Sequence, residues 1–121
     1  VREIQEEAGI EVGVLNLRGT VNWPDFGKHG ENWLGFIFTI TEWRGTPYDR
    51  NAEGTLEWVP VARVLEACQV DADDRPPAGA LNMWPGDRYF LPLVFGADPR
   101  QFHGVMPYQD GLPTSWRYTW A

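Results

Sequence analysis

The sequence has few of the residues that build covalent or soft-metal frameworks. Its 121 residues include one cysteine, Cys68, and two histidines. One thiol cannot close an internal disulfide, and it cannot supply a cysteine-rich metal site. We therefore interpret Cys68 as a small buried hydrophobic residue.

Long apolar runs and positive charge are also scarce. No apolar run approaches the roughly 20 residues of a membrane-spanning helix, so we predict no membrane partner and a cytoplasmic location. Ten basic residues face 17 acidic ones, which gives a net charge of −7. Such a surface repels nucleic-acid backbones, so we predict no nucleic-acid polymer as partner. A free nucleotide is not excluded by this charge, because a bound metal ion can neutralise its phosphates and bring them to an acidic site.

Aromatic residues are plentiful. They make up 14% of the chain, with 7 Trp, and hydrophobic residues make up 43%. This composition excludes a disordered chain and predicts a globular fold. The length predicts a single domain over residues 1–121, with one core. The sequence leaves the oligomeric state open.

The segment REIQEEAGI, Arg2 to Ile10, carries the clearest chemical pattern. At about 100° per residue, Glu3, Glu6 and Glu7 share one face of a helix, and Arg2 can pair with Glu6 four residues later. Three carboxylates on one face repel each other unless a positive charge binds, and a divalent cation would supply it. The alternative is an ordinary solvated helix face.

A glycine and a distant acid extend this pattern. Gly9 predicts a helix end in the left-handed conformation, which places the acids on the last turn, where the helix dipole adds negative potential. Glu53 lies in the polar, turn-rich segment Arg44 to Thr55. On its own pattern, Glu53 is an ordinary loop acid.

Strands predominate in the rest of the chain. In the second of them, Asn32–Trp43, both faces are rich in apolar residues, which predicts that both faces are partly covered. The spacing of apolar residues, Gly and Pro predicts a mixed sheet in an α+β or layered α/β/α arrangement. The predicted strands are Glu11–Val21, Asn32–Trp43, Leu56–Pro60, and a hairpin of Phe102–Met106 with Trp116–Trp120. The predicted helices are 1–8, 61–68 and 84–95, and the predicted loops are 24–30, 44–55 and 69–80.

REIQEEAGI resembles the second half of the signature of the Nudix hydrolases. That motif ends in Arg-Glu, an aliphatic residue, any residue, Glu-Glu, any residue, Gly and an aliphatic residue, and this chain meets every position. The family's motif opens with a Gly and a further Glu upstream, which this sequence does not contain. The resemblance therefore implies a Nudix domain truncated at its N-terminus, without its first strands. We expect the sheet to have an unpaired edge and the chain to be poorly stable alone or to borrow strands from a partner.

Two further motifs resemble the Nudix enzymes that hydrolyse oxidised purine nucleoside triphosphates such as 8-oxo-dGTP. One is Gly45 to Pro47 followed by Glu53 and Trp58, and the other is MWPGDRYFLPL followed by FHG at Phe102 to Gly104. The resemblance implies metal-dependent hydrolysis of such a triphosphate to a monophosphate and pyrophosphate, a role in nucleotide-pool sanitation that avoids DNA damage.

The resemblance also assigns roles to the acids. It implies that Glu3, Glu6, Glu7 and Glu53 bind Mg²⁺ or Mn²⁺, and that Arg2 holds this catalytic cluster in place. The loop that carries Glu53 would then converge with the helix. The sequence does not assign the base; Glu7 is our first choice and Glu53 the second.

For the base pocket, the resemblance implies that Trp23 borders the base, that Trp84 lies against it, and that Asp87 hydrogen-bonds its edge. Trp33 is a further candidate substrate-binding residue. Core packing is the alternative for these tryptophans, and it is the more common role for Trp33. The family has two neighbouring Asp residues here, and Gly86 replaces the first, which puts preference for an oxidised guanine in doubt.

Two other functions stay open at this point. One is a Nudix hydrolase of another nucleoside-diphosphate-linked substrate, which the Gly86 replacement favours. The other is a non-catalytic Nudix module that binds a nucleotide, which the intact signature carboxylates disfavour.

Overall fold

The computed structural model describes residues 1–69 and 81–121, so most of the predicted loop 69–80 lies outside the described residues. None of the helices in the described ranges is both long and apolar enough to cross a membrane. The helices are α1 (Arg2–Ala8), α2 (Val61–Cys68) and α3 (Asp87–Val94). The strands are β1 (Glu11–Trp23), β2 (Trp33–Arg44), β3 (Arg50–Asn51), β4 (Gly54–Thr55), β5 (Phe102–Val105), β6 (Tyr108–Gln109), β7 (Leu112–Pro113) and β8 (Arg117–Trp120).

A four-stranded mixed sheet with the order β2-β1-β5-β8 forms the centre of the described structure. The long strands β1 and β2 pair antiparallel from Glu11↔Arg44 to Trp23↔Trp33. Strand β5 pairs parallel with β1 and antiparallel with β8, which confirms the predicted hairpin. The predicted mixed sheet with helices is thus confirmed, and a strand–helix–strand path between β2 and β5 carries α2 and α3.

The main core lies between one face of this sheet and α3. Val21 and Phe102 are fully buried on the sheet, and Phe90 and Val94 face them from α3. In α3 the four-residue spacing of these two side chains puts both on one helix face. Helix α2 packs on α3, and Cys68 at its end is 9% exposed, which confirms its predicted burial.

Arg18 fastens the end of α3 to the sheet. Its guanidinium donates to the carbonyl oxygens of Val94 at 3.1 Å and Leu93 at 3.2 Å, and to that of Asp98 at 2.8 Å. The last carbonyls of a helix have no partners within the helix, and a cation there also suits the helix dipole. This arginine therefore fixes the position of the helix that carries Asp87.

The opposite face of β2 is not covered by the described residues. Leu34, Phe36 and Phe38 are 59%, 58% and 48% exposed. The prediction that both faces of this strand are partly covered therefore holds for the face with Gly35 and Ile37 and is wrong for the row Leu34, Phe36 and Phe38. The reason is that α3 lies on the face that holds Gly35 and Ile37, and alternate residues of a strand point to opposite faces.

Two predicted elements also need correction. Residues Leu56–Pro60 form no strand; the preceding loop instead folds back as the hairpin β3–β4, and the Leu56 amide donates to the Asp49 carbonyl at 2.8 Å. A strand needs a neighbouring strand to pair with, and a short run of four apolar or aromatic residues around Glu57 does not supply that partner. Helix α3 begins at Asp87 rather than at residue 84, because Trp84 to Gly86 form a turn.

Candidate functional site

A cavity of about 320 Å³ lies at the edge of the core, between the end of β1 and the start of α3. Three of the four residues predicted to bind a base, Trp23, Trp84 and Asp87, surround this one cavity, although they come from separate parts of the sequence. The cavity is lined by Trp23, Phe26, Trp84, Pro85, Asp87, Tyr108 and Gly111.

Trp23 forms a wall that is fixed by packing. Its ring lies over Gly35 of β2, where an added Cβ atom would be 2.5 Å from the ring. The ring also makes an edge contact with Phe90, with centroids 6.3 Å apart. The missing side chain at Gly35 therefore leaves room for Trp23 itself, so this wall is rigid before any ligand arrives.

Phe26 and Tyr108 also border the cavity, and sequence reasoning missed both. Their rings meet edge to face with centroids 4.9 Å apart. The backbone brings them together, because the Tyr108 amide donates to the Pro24 carbonyl at 3.0 Å. The available signal was weak: Phe26 is the one large apolar side chain in the otherwise polar predicted loop 24–30.

Asp87 is the acidic group of the cavity. Burial raises the pKa of its carboxyl, and a hydrogen bond with the Trp84 backbone lowers it by a smaller amount. As the first residue of α3, Asp87 also lies at the positive end of the helix dipole. The carboxyl is thus held in a partly apolar pocket, where a hydrogen-bonding ligand gains more than it would in water.

Trp84 and Trp33 occupy different environments. Trp84 is 78% exposed and also borders a second cavity of about 380 Å³, so its ring is open to a stacking partner. Trp33 does not line the main cavity; it is 53% exposed and contacts Phe26 at 6.0 Å between ring centroids. Core packing of Trp33 is therefore wrong, and its contact with a substrate stays a prediction.

Helix α1 carries the predicted acids as an exposed face. Arg2 pairs with Glu6 at 3.2 Å, as the spacing predicts, and both side chains face solvent. Gly9 ends the helix with a φ of 76°, the left-handed conformation predicted for it. Exposed ion pairs of this kind add little stability, so the Arg2–Glu6 pair contributes little to folding.

Hydrogen bonds join the loop that carries Glu53 to the end of α1. The Asn51 side-chain amide donates to the Glu7 carbonyl at 3.0 Å, while its oxygen accepts from the Glu53 amide at 2.8 Å. The Tyr48 amide donates to the Ala8 carbonyl at 2.8 Å. The predicted convergence of helix and loop is therefore present in the backbone.

The donor set suits a hard divalent cation, since carboxylate oxygens are the ligands that Mg²⁺ and Mn²⁺ prefer. Within residues 1–69 and 81–121, however, no three Asp, Glu, His or Cys side chains are gathered closely enough to hold a metal ion. The chemistry of Glu3, Glu6, Glu7 and Glu53 thus fits a metal, whereas their side chains point into solvent.

Comparison with known proteins relates the chain to a solved structure. No family model matches the chain. Among solved structures, it is similar to a mutator MutT protein from Bacillus halodurans, with a TM-score of 0.73 and 30% sequence identity. The match covers 97% of this chain and 69% of that protein. The likeness therefore includes sequence as well as fold, and it extends over nearly all of this chain.

Proposed function

Because this chain belongs to the MutT-type Nudix hydrolase family, we propose that it hydrolyses a nucleoside triphosphate to a monophosphate and pyrophosphate. The observation that carries the proposal is that Trp23, Trp84 and Asp87 border the same cavity. Its volume of about 320 Å³ lies in the range of small-molecule sites, which run from about 300 to 1,000 Å³.

The cavity supplies what recognition of a base needs. The exposed ring of Trp84 offers a face on which a base can stack, and the Trp23 and Tyr108 rings close the other sides. Asp87 supplies a carboxyl for hydrogen bonds to the base edge. A half-buried carboxyl that meets its partner discriminates strongly, because a mismatched base leaves it unpaired.

The acids on α1 and in the Glu53 loop serve the phosphates. Glu3, Glu6, Glu7 and Glu53 would hold Mg²⁺ or Mn²⁺, which supplies charge neutralisation and an acidified water. Arg2 pairs with Glu6 and limits repulsion among these acids. Glu7, or in its place Glu53, takes the proton from the attacking water.

We propose an oxidised purine nucleotide such as 8-oxo-dGTP as the substrate, and pool sanitation as the role. A second candidate is another nucleoside-diphosphate-linked substrate, which is favoured by Gly86 because one carboxyl of the pair is lost. Trp33 would contribute by supporting the Phe26 ring.

The test is hydrolysis by the 121-residue chain with Mg²⁺ or Mn²⁺, against canonical and oxidised nucleoside triphosphates. Glu6→Gln and Glu7→Gln should each lower kcat by about 100-fold or more, as expected for loss of a metal ligand or base. Glu66→Gln, an exposed glutamate on α2, is the matched control and should have no effect. No turnover of any triphosphate would overturn the proposal, and turnover that survives both α1 changes would overturn the role of these acids.

A further inference from the structure

Gly86 lies at a crowded position beside the cavity. It is buried, and it immediately precedes α3. A Cβ atom on residue 86 would overlap the Tyr108 hydroxyl oxygen and would lie 2.6 Å from the Met106 sulphur. Real Cβ atoms keep well beyond these distances, so the present packing leaves no room for a side chain here.

The two obstructing side chains are fixed by their surroundings. Met106 is fully buried and Tyr108 is 9% exposed. The Met106 amide donates to the Asn22 carbonyl at 2.8 Å, and the Tyr108 amide to the Pro24 carbonyl. Both residues are thereby held against the end of β1, and the Tyr108 ring is further held by Phe26. The hydroxyl therefore cannot turn away without disturbing the core.

The Tyr108 hydroxyl retains its proton. Burial raises the pKa of this phenol first, the nearby Asp87 carboxylate raises it further, and a hydrogen bond with the Gly86 backbone lowers it by less. A phenol with a pKa above its ordinary value is a hydrogen-bond donor throughout the neutral pH range. An aspartate at residue 86 would instead have offered acceptor oxygens when ionised.

We propose that the Tyr108 hydroxyl replaces the polar contact that residue 86 lacks, so that the pocket presents one phenol donor and one carboxyl, Asp87, to a base. This inference rests on the proposed function. The ligand that fits is a purine whose edge carries a hydrogen-bond acceptor next to a donor: the acceptor meets Tyr108 and the donor meets Asp87. Tyr108 is thus a residue that determines base specificity.

The first experiment measures binding by calorimetry, with α,β-methylene analogues of dGTP, dATP and 8-oxo-dGTP, and with inorganic triphosphate as a ligand without a base. Tyr108→Phe should weaken binding of the preferred purine analogue by about three- to tenfold, the usual range for one hydrogen bond. It should leave inorganic triphosphate unchanged. Tyr118→Phe, on β8 and 44% exposed, is the matched control and should change neither.

The second experiment tests the exchange between the two positions. Gly86→Asp alone should lower Tm, because its Cβ overlaps buried atoms. Gly86→Asp with Tyr108→Phe should recover part of that loss, because the Met106 sulphur still lies 2.6 Å from the added Cβ. The second change removes the overlapping hydroxyl oxygen, and the ring carbon that bears it, Cζ of Tyr108, lies at an ordinary 3.5 Å from the added Cβ. The double variant should also change which purine analogue binds best, because the carboxylate at residue 86 accepts hydrogen bonds whereas the Tyr108 hydroxyl donated one.

Three results of the binding and stability measurements would overturn the inference. One is a Tyr108→Phe variant that binds every purine analogue as the parent does. Another is equal weakening for inorganic triphosphate, which would show a structural role alone. The third is a Gly86→Asp variant with the parent Tm. If Tyr108→Phe still hydrolyses triphosphates with unchanged base preference, this inference is wrong and the proposed hydrolysis stands. If the parent binds purine analogues selectively but shows no turnover, the proposed hydrolysis is wrong and this inference stands. Absence of both binding and turnover would overturn both.

Discussion

Asp87 and Asp98 show how neighbouring groups set the charge of a carboxyl in opposite directions. Burial beside the cavity raises the pKa of Asp87. Asp98 accepts hydrogen bonds from the Arg100 side chain at 2.7 and 3.1 Å and from its backbone amide, and these lower the pKa of Asp98 to about 2. One carboxyl thus lies in a site that penalises its charge, and the other in a site that favours it.

The two aspartates therefore predict opposite effects of pH on stability. The folded chain binds the Asp87 proton more tightly than the unfolded chain, so ionisation of Asp87 costs stability as pH rises above the ordinary pKa of 3.8. Asp87→Asn should raise the urea midpoint at pH 7 and should lose this advantage near pH 3. Because it removes the carboxyl from the pocket, it should also weaken nucleotide binding, by about tenfold or more.

Asp98→Asn is the control, and its effect on stability at pH 7 should be opposite to that of Asp87→Asn. The stabilising effect of ionised Asp98 is present above the ordinary pKa of 3.8 and is lost as pH falls toward the folded-state pKa of about 2. This variant should therefore have a slightly lower urea midpoint at pH 7, and it should bind nucleotide normally. An Asp87→Asn variant that is less stable than the parent at pH 7 would show that Asp87 is held by a favourable contact instead.

At the scale of elements, Asn51 joins the β3–β4 hairpin to the last turn of α1. Its amide group contacts Glu7 on one side and the Glu53 and Gly54 amides on the other. Asn51→Ala removes all three hydrogen bonds, and a displacement of about 1 Å at a catalytic group can lower the rate by about 100-fold. We expect a kcat lower by about 10- to 100-fold, weaker Mn²⁺ binding by calorimetry, and faster amide exchange over residues 48–55.

Two further variants separate the parts of this contact. Asn51→Asp keeps the oxygen that accepts from Glu53 and Gly54 but loses the amide that donates to Glu7, so it should release the loop from α1 while the turn persists. Asn16→Ala removes an exposed hydrogen bond to Thr41 on the sheet and should not affect catalysis. Parent-like Mn²⁺ binding and amide exchange in Asn51→Ala would refute a positioning role.

The sequence predicted those elements whose own pattern is decisive. Helix α2 follows from Val61, Val64, Leu65 and Cys68 on one face, and the end of α1 follows from Gly9. Strand Leu56–Pro60 was predicted wrongly because a short apolar run is compatible with a strand but does not create a pairing partner. Secondary structure is thus predictable where one element supplies its own signal.

The cavity was predictable only in part, for the same reason. Trp23, Trp84 and Asp87 were predicted because the sequence resembles a known family, and all three line the cavity. Phe26 and Tyr108 lie far apart in the sequence. They are brought together by the hydrogen bond from the Tyr108 amide to the Pro24 carbonyl. Neither position has a local sequence pattern that indicates a pocket. The crowding at Gly86 likewise depends on three-dimensional packing, which the local sequence does not show.

For the whole molecule, the uncovered face of β2 is the feature with the largest expected effect on behaviour in solution. Leu34, Phe36 and Phe38 form an exposed apolar row on a strand at the edge of the described sheet. Rows of this kind favour association between chains, both through apolar contact and through edge pairing. The net charge of −7 opposes it, because like-charged copies repel each other.

This balance predicts association that increases with salt. Raising NaCl from about 0.05 to about 0.5 M shortens the screening length from above roughly 10 Å to below roughly 5 Å, which removes repulsion but leaves apolar attraction. Sedimentation velocity should therefore show larger species at high salt for the parent. Phe36→Thr with Phe38→Thr should suppress them, and Tm should change little because both side chains are about half exposed. Leu112→Thr, equally exposed on β7, is the control and should associate as the parent does. If the double variant associates as strongly as the parent, the association surface lies elsewhere.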